Sequence, residues 1–441
     1  MEDSPVNLRV GIVGAGIAGS SAAYFVRQVL GDRVEIVVWD RSGVGGRIRE
    51  VELAGRRVAA GASIAHSANR YLVQFVAMLG LHADRPPARS QGVWNGAGFD
   101  FVTSPSRRTT LLRTIRRYRL APLRAQRLVR RTIDRLVRVY DVLEQGQAFA
   151  RPQDLFTFLD LYHLSQQPSA AYFRRHGISE RFLREMVDGI SRANYGQDAS
   201  IHALVNLISL AGAAMGGYLF SVREGNSRLC DGLLREAGAT VHPGATVAAI
   251  AAVDEGDRPR YQVTTADGRA DTFDAVIVAT PLEVANLRLA GFRPPDWALR
   301  ARPYQVTHVT FVVGTVNPAY FGLQQVEQVP AVILTRESPE VPFSLLGSLG
   351  PASASPHTIY KLFSRAELDE ELLARLFRDR VQTERLVWQA YPVLHPVKEW
   401  PGFVLHPGLY YVNAMESGIS TMETEVIASR NVVNLLAAAL R

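Results

Sequence analysis

An α/β fold built on a parallel sheet is what the sequence predicts, on three observations. The apolar run Leu8–Val13 has the length and composition of a strand buried on both faces. It enters Gly14-Ala15-Gly16-Ile17-Ala18-Gly19, a Gly-x-Gly-x-x-Gly turn, and residues 20–30 continue with helical periodicity. A second apolar strand, residues 34–39, ends at Asp40, 21 residues after Gly19, the spacing of a carboxylate that accepts from an adenosine ribose. Together these describe a Rossmann-type unit that binds a dinucleotide, NAD or FAD alike at this point. Gly14 permits the tight turn, Gly16 admits a pyrophosphate, and Gly19 lets helix and strand touch. The helix start at Ile17 and Ala18 offers free N–H groups to the phosphates.

Composition narrows the class. A chain of 441 residues holds two or three domains, and 47% hydrophobic with 21% charged residues is ordinary for a globular protein. The one cysteine, Cys230, excludes an intrachain disulfide. With a strand starting so soon after Met1 and no glycosylation sequon, a cytoplasmic protein without a signal peptide is expected. The two lysines, Lys361 and Lys398, against 47 arginines point to a GC-rich genome rather than to a partner. Residues 107–138 hold twelve arginines and one acid, Asp134, so the net +7 is local. No aromatic interleaving accompanies it, which argues against nucleic acid. Leu111, Leu112, Ile115 and Tyr118, then Leu128, Val129, Ile133, Leu136, Val137 and Tyr140, recur at helical spacing. Such basic amphipathic helices present either a solvated face or a surface that lies on anionic membrane.

Along the chain, residues 41–47 form a Gly-rich loop carrying Arg41, Gly46 and Arg47, where a guanidinium can make bidentate bonds to a pyrophosphate. Gly61, Ala62 and Ser63 are small enough for close backbone approach, and His66 follows them. Residues 151–185 read as helical. The uncharged segment 201–222 is long enough to span a bilayer, but His202, Asn206 and its glycines favour a buried helix plus strand. Residues 229–282 return to α/β alternation, with a helix at 229–236, Val247 on a strand, a hairpin across Asp267-Gly268 and a strand ending at Thr280. No second glycine motif occurs, so a nicotinamide domain of that kind is absent and the electrons come from the substrate. Alternating strands occupy 304–364. A final helix runs from about Ser420 to Leu440, with an N-terminus able to stabilise negative charge.

The Gly45-Gly46-Arg47 segment resembles that of flavoproteins of the amine-oxidase and phytoene-desaturase type. That resemblance implies a two-dinucleotide-fold FAD domain. In it Arg47 and Gly46 approach the diphosphate, Gly61 to Ser63 the ribityl chain and ring, and Val247 the adenine. Thr280, Glu416, Thr421 and Met422 complete the cofactor site. More specifically, residues 14–24, 44–47, 61–66, 192–197, 222–234, 276–282, 361–364, 390–392 and 409–428 resemble the prenylcysteine oxidase (prenylcysteine lyase) family, most distinctively in Asn194-Tyr195-Gly196-Gln197 and Glu224-Gly225-Asn226.

The resemblance implies an FAD domain from residues 6–82, 218–287 and 398–441, and a mixed α+β substrate domain from 83–217 and 288–397. It implies non-covalent FAD, hydride transfer from a small hydrophobic thioether to flavin N5, and water and O2 as co-substrates. The products are an aldehyde, free cysteine and H2O2. Asn194, Tyr195, Arg223, Glu224 and Asn226 are expected on the flavin's substrate side, His66 to assist water, Tyr391 to wall the ring, and Lys361 to supply a compact ammonium. Leu204, Ile208, Met215 and Phe220 either line a prenyl channel or pack the core. Lacking a signal, sequons and paired cysteines, the chain departs from the animal members and is expected to be a bacterial cytoplasmic homologue. Alternatives on the same scaffold are an amine oxidase, an isoprenoid or carotenoid desaturase, and a non-catalytic flavin- or lipid-binding protein docked through the arginine helices.

Overall fold

The computed structural model describes residues 8–87, 89–253 and 259–441, so residues 6 and 7 of the expected first segment lie outside it. The apolar run Leu8–Val13 becomes the interior of a six-stranded sheet, with Val34–Asp40 and Ala275–Val278 parallel on either side. Thr240–Pro243 and Leu409–Tyr411 extend it in parallel, and Val404–His406 closes one edge antiparallel. Val10, Ile12, Ile277 and Val278 are wholly buried because both faces are covered. Ile17–Leu30, flanked by Ser227–Glu236 and Met422–Leu440, covers the face to which Ile12 points. Against the other face stands Phe273 of a four-stranded sheet, edge-on to Trp39.

Three separated stretches of chain therefore build the dinucleotide half. Strand Arg288–Ala290 pairs in parallel with Val247–Ala252.

The second sheet has seven strands and is mostly antiparallel, with the long strands Tyr304–Val316 and Phe377–Pro392 at one side. One of its faces buries Phe311, Val313 and Ile359 against Leu53 and Val58 of the hairpin Glu50–Leu53/Arg56–Ala59 and against Ala60, which follows it. This contact fixes the hairpin, and the loop after it, beside the sheet.

The arginine-rich helices form as expected, Arg107–Tyr118 and Ala121–Leu136, but they differ in burial. The second buries Ala125, Leu128, Val129 and Leu136; the first buries only Tyr118 and leaves Leu111, Leu112 and Ile115 in solvent. Segment 201–222 becomes Ala203–Ser209, Ala211–Ala214 and strand Leu219–Val222. Among the described residues no helix is long and apolar enough to cross a membrane. Leu204 and Phe220 are core residues, and Ile208 and Met215 pack on that core.

At Gly19 a methyl group would stand 1.8 Å from the Gly14 carbonyl oxygen. Gly19→Ala is therefore expected to force helix and strand apart, costing about 1–3 kcal/mol, read as a lowered midpoint in denaturant unfolding.

Candidate active site

A cleft of about 1060 Å³ follows the C-terminal ends of the parallel strands, where open α/β sheets place their ligands. Gly14, Gly16, Ile17, Ala18, Asp40 and Arg41 line it at the glycine turn. Gly46, Arg47, Gly61, Ala62, Val247 and Thr280 line its flanks, and Thr421 and Met422 its far end. Gly14 has φ +109°, and a Cβ there would lie 2.6 Å from the Ala279 carbonyl oxygen, so only glycine makes the turn. Gly16 differs: its nearest neighbour is a backbone oxygen of Gly45 at 3.7 Å, which leaves open space for a ligand. The N–H groups of Ile17 and Ala18 donate to no backbone or side-chain acceptor among the described residues and remain available to an anion. Asp40 also braces the turn, accepting from Ala15 N (2.9 Å) and Ser42 N (2.8 Å).

Three expected cofactor residues lie outside the lining. Gly19 sits beneath the turn, and Ser63 follows the lining residues Gly61 and Ala62 without joining them. Glu416 is wholly buried behind Arg47 and acts on the cleft through it.

Arg47 anchors a buried charge network. Its guanidinium pairs with Glu416 and donates to the Ala390 carbonyl at 2.9 Å. Glu416 also accepts from the Tyr304 hydroxyl (2.7 Å) and from Asn413 Nδ2 (3.1 Å). Arg302 lies alongside, paired with Glu283 at 2.5 Å and donating to the Tyr411 hydroxyl at 2.7 Å. Burial alone would raise Glu416, but the Arg47 and Arg302 guanidinia outweigh it and hold the carboxyl below the usual range. Glu425 goes the opposite way: burial, and then the charge of Glu416, push it well above.

The final helix begins with a capping box in which Thr421 and Thr424 side chains exchange hydrogen bonds with each other's backbone N–H. The N–H groups of Met422 and Glu423 have no protein acceptor among the described residues. Thr307, Phe363, Trp388, Gln389 and Tyr391 line the same cleft as this helix start.

Of the residues expected to be catalytic, only Tyr391 lines the cleft. Tyr195 stands behind it, buried, with ring centroids 5.2 Å apart and edge-on. The others lie outside the lining of the cleft. Asn194 is exposed and donates to Ser209 Oγ at 2.8 Å. Arg223 is exposed, and Glu224 pairs with His82 at 2.7 Å on the outer surface. Asn226 is buried but structural, accepting from Val222 N and donating to the Ala62 carbonyl that shapes the lining loop. His66 is half-buried on a short strand, its Nδ1 accepting from Ala68 N, and burial lowers its pKa.

Lys361 is fully enclosed in the seven-stranded sheet. It donates to the Ala59 carbonyl at 2.8 Å, lies 4.5 Å from the Phe363 ring centroid, and has no carboxylate partner among the described residues. Burial brings its pKa down to about 7.

Sequence reasoning missed Asn413 and Glu425 as lining residues, and the side chains of Thr307, Phe363, Trp388 and Gln389.

FAD fits the cleft. Two helix N-termini open into it with unused N–H groups, Gly16 leaves room for a diphosphate, and buried Asn413 Oδ1 and Glu425 Oε1 lack protein partners at its wall. Orphaned polar atoms of this kind are costly unless a ligand satisfies them. The fold and cleft define an FAD-dependent oxidoreductase.

Residues 12–79 match the NAD(P)-binding Rossmann-like domain family, and residues 101–441 match the family described as Prenylcysteine lyase. Farnesylcysteine lyase of Arabidopsis thaliana is 33% identical over 99% of this chain and 89% of its own. Prenylcysteine oxidase 1-like of Mus musculus is 31% identical, over 97% and 90%. This chain belongs to the prenylcysteine lyase family. In fold it is similar to putrescine oxidase solved with putrescine, at 15% identity and a TM-score of 0.63, covering 98% of this chain and 99% of that one.

Lys361 carries a pH signature. An amine whose folded pKa is depressed binds its proton more weakly folded than unfolded, so it opposes folding below about pH 7, and the penalty fades as pH rises toward the ordinary lysine value. Lys361→Met is expected to gain more thermal stability, relative to the parent, at pH 6 than at pH 9, measured by melting curves at both.

Proposed function

We propose that this protein oxidises a prenylcysteine-like thioether, with non-covalent FAD, water and O2 as co-reactants. The observation that carries this is an FAD-sized cleft in a chain whose relatives, over nearly their whole length, are farnesylcysteine lyase and prenylcysteine oxidase. FAD, when bound, supplies the hydride acceptor and returns to its oxidised state with O2, releasing H2O2. The hydride leaves the substrate carbon between sulfur and alkene as a pair of electrons with one proton. Sulfur and the double bond stabilise the cation that remains. Water adds to that carbon and loses a proton, and the C–S bond of the hemithioacetal breaks to give the aldehyde and the free thiol.

The residues suit this sequence. Ile17, Ala18 and Arg47 hold the diphosphate. The free N–H groups of Met422 and Glu423 stabilise negative charge arriving at the flavin end. The wall there, Thr307, Phe363, Trp388, Gln389 and Tyr391, holds no ionisable base other than a tyrosine whose pKa burial raises. That matches a hydride donor activated by its own sulfur. We assign the substrate-side wall to Tyr391, held by Tyr195, in place of the surface residues Asn194, Arg223 and Glu224. The remaining residues expected there, His66, Asn226 and Lys361, support loops and sheet around it.

We further propose peripheral contact with anionic membrane through residues 107–138. Leu111, Leu112, Ile115, Leu120 and Leu123 are 52–68% exposed around one helix–helix turn. Arg107, Arg108, Arg116, Arg119, Arg127, Arg130 and Arg131 surround them with no acidic partner among the described residues. Exposed apolar side chains ringed by arginine suit an anionic lipid interface, from which a prenylated substrate would partition.

Anaerobic mixing with S-farnesylcysteine is expected to bleach the flavin absorbance, and Tyr391→Ala to slow that bleaching at least tenfold. Bleaching by polyamines or carotenoid precursors alone would overturn the thioether reading. Co-sedimentation with phosphatidylserine vesicles is expected for the parent, to fall at about 0.5 M salt, where exposed charges are screened, and to be lost in L111S/L112S/I115S.

A further inference from the structure

Glu425 is the one buried carboxyl at the wall of the cleft that the proposed chemistry leaves without a task. It lies in the first turn of Met422–Leu440, almost wholly buried, and lines the cleft. Its Oε2 accepts from Asn413 Nδ2 at 3.1 Å, and the same amide serves Glu416 at 3.1 Å. Its Oε1 is buried with no protein partner. Ser429, one turn further along the same helix face, donates to the Ala18 carbonyl at 2.7 Å. That bond seats this face on the helix whose N-terminus is free to bind the diphosphate.

The surrounding charges decide the protonation state. Facing Glu425 are Arg47 from the glycine-rich loop, Glu416 from the turn at 412–417, and Arg302 from the segment before strand Tyr304–Val316. Tyr304, Tyr411 and Glu283 complete the shell around Arg302. The two guanidinia are matched by Glu416 and Glu283, so nothing remains to neutralise a third carboxylate. A diphosphate adds two further negative charges. An ionised Glu425 would therefore stand uncompensated beside the most anionic part of the cofactor.

We propose that Glu425 is a cofactor-binding residue that works as a neutral acid, donating from its free oxygen to an oxygen of the bound FAD. The direction of its pKa agrees: burial and the Glu416 charge keep the proton on. Asn413, by donating Nδ2 to Oε2, leaves Oε1 to carry the hydrogen. Its own orphaned Oδ1 faces the same cleft as an acceptor, so the pair offers one donor and one acceptor to the ligand. Because only the protonated form donates, affinity for FAD falls as pH rises through the pKa of this group.

The inference rests on the FAD reading and not on the substrate, and it is tested without turnover. The full chain, freed of flavin, is titrated with FAD by flavin fluorescence between pH 6 and pH 10, as parent, E425Q and E425A. E425Q keeps a donor that cannot ionise. It is expected to bind within about threefold of the parent at pH 7 and to hold that affinity at alkaline pH, where the parent weakens. E425A is expected to bind at least tenfold more weakly while the flavin-free protein melts no lower than the parent. Infrared difference spectra of the parent are expected to show a protonated-carboxyl stretch that shifts on FAD binding and is missing in E425Q. Unchanged affinity in E425A, parallel pH profiles for parent and E425Q, or no such carboxyl band would overturn the role of Glu425. A parent that takes up no FAD at any pH would overturn the cofactor reading itself.

Discussion

The pair between Arg47, at the wall of the cleft, and the wholly buried Glu416 is the interaction on which the cofactor half of the molecule depends. Arg47 arrives on a loop after the second strand, Glu416 on a turn close to the C-terminus, and the Ala390 carbonyl that also binds Arg47 comes from the second sheet. One guanidinium thus joins three remote parts of the chain at the cleft. Enclosed ions are expensive to desolvate, and the arrangement survives because every participant is shared: Tyr304, Asn413 and Arg302 all bear on the same carboxylate or its neighbour. Such a network is poor at adding stability and good at enforcing one geometry. The geometry it enforces is a cationic surface at the place where a diphosphate is to lie.

Around that centre the cleft is built from groups that the protein leaves unsatisfied. Two helix N-termini open into it with idle N–H groups, one at the glycine turn and one beside the aromatic end. In the reading proposed above, the first would meet charge that is permanent and the second charge that exists only after reduction. Between them the wall changes from backbone and arginine to rings and amides. A protein that contributes shape and potential, and leaves electron transfer to its cofactor, is organised in this way.

Most of the dinucleotide site was legible because its information is local. Glycine spacing, the strand before it and the acid at Asp40 sit within about one βαβ unit, where sequence distance and spatial distance agree. The far end was not legible for the opposite reason. Asn413 and Glu425 reach the cleft only because Leu409–Tyr411 joins the first sheet, and Phe363 and Tyr391 only because the second sheet abuts it. The Glu224-Gly225-Asn226 motif shows what local geometry adds to a recognised sequence. Gly225 has φ +103° and leaves no room for a Cβ beside the Glu50 carboxylate, so the chain reverses there. Glu224 is turned outward to His82 and Asn226 inward to Ala62. The motif is a bracket for the lining loop. Lys361 was singled out by its rarity, and the structure answers that it is held in the sheet by a single carbonyl.

The order of the strands bears on how the protein is made. The sheet that cradles the cofactor takes strands from near residue 10, near residue 275 and near residue 410, and its covering helix is the last element of the chain. Pairings separated by hundreds of residues close slowly, since the intervening chain must first be confined. Residues 8–40 alone therefore carry a recognisable nucleotide motif without a nucleotide site. The cleft closes only once Ala275–Val278 and Leu409–Tyr411 have joined the sheet and Glu416 has met Arg47, so cofactor capture reports that the three stretches have come together.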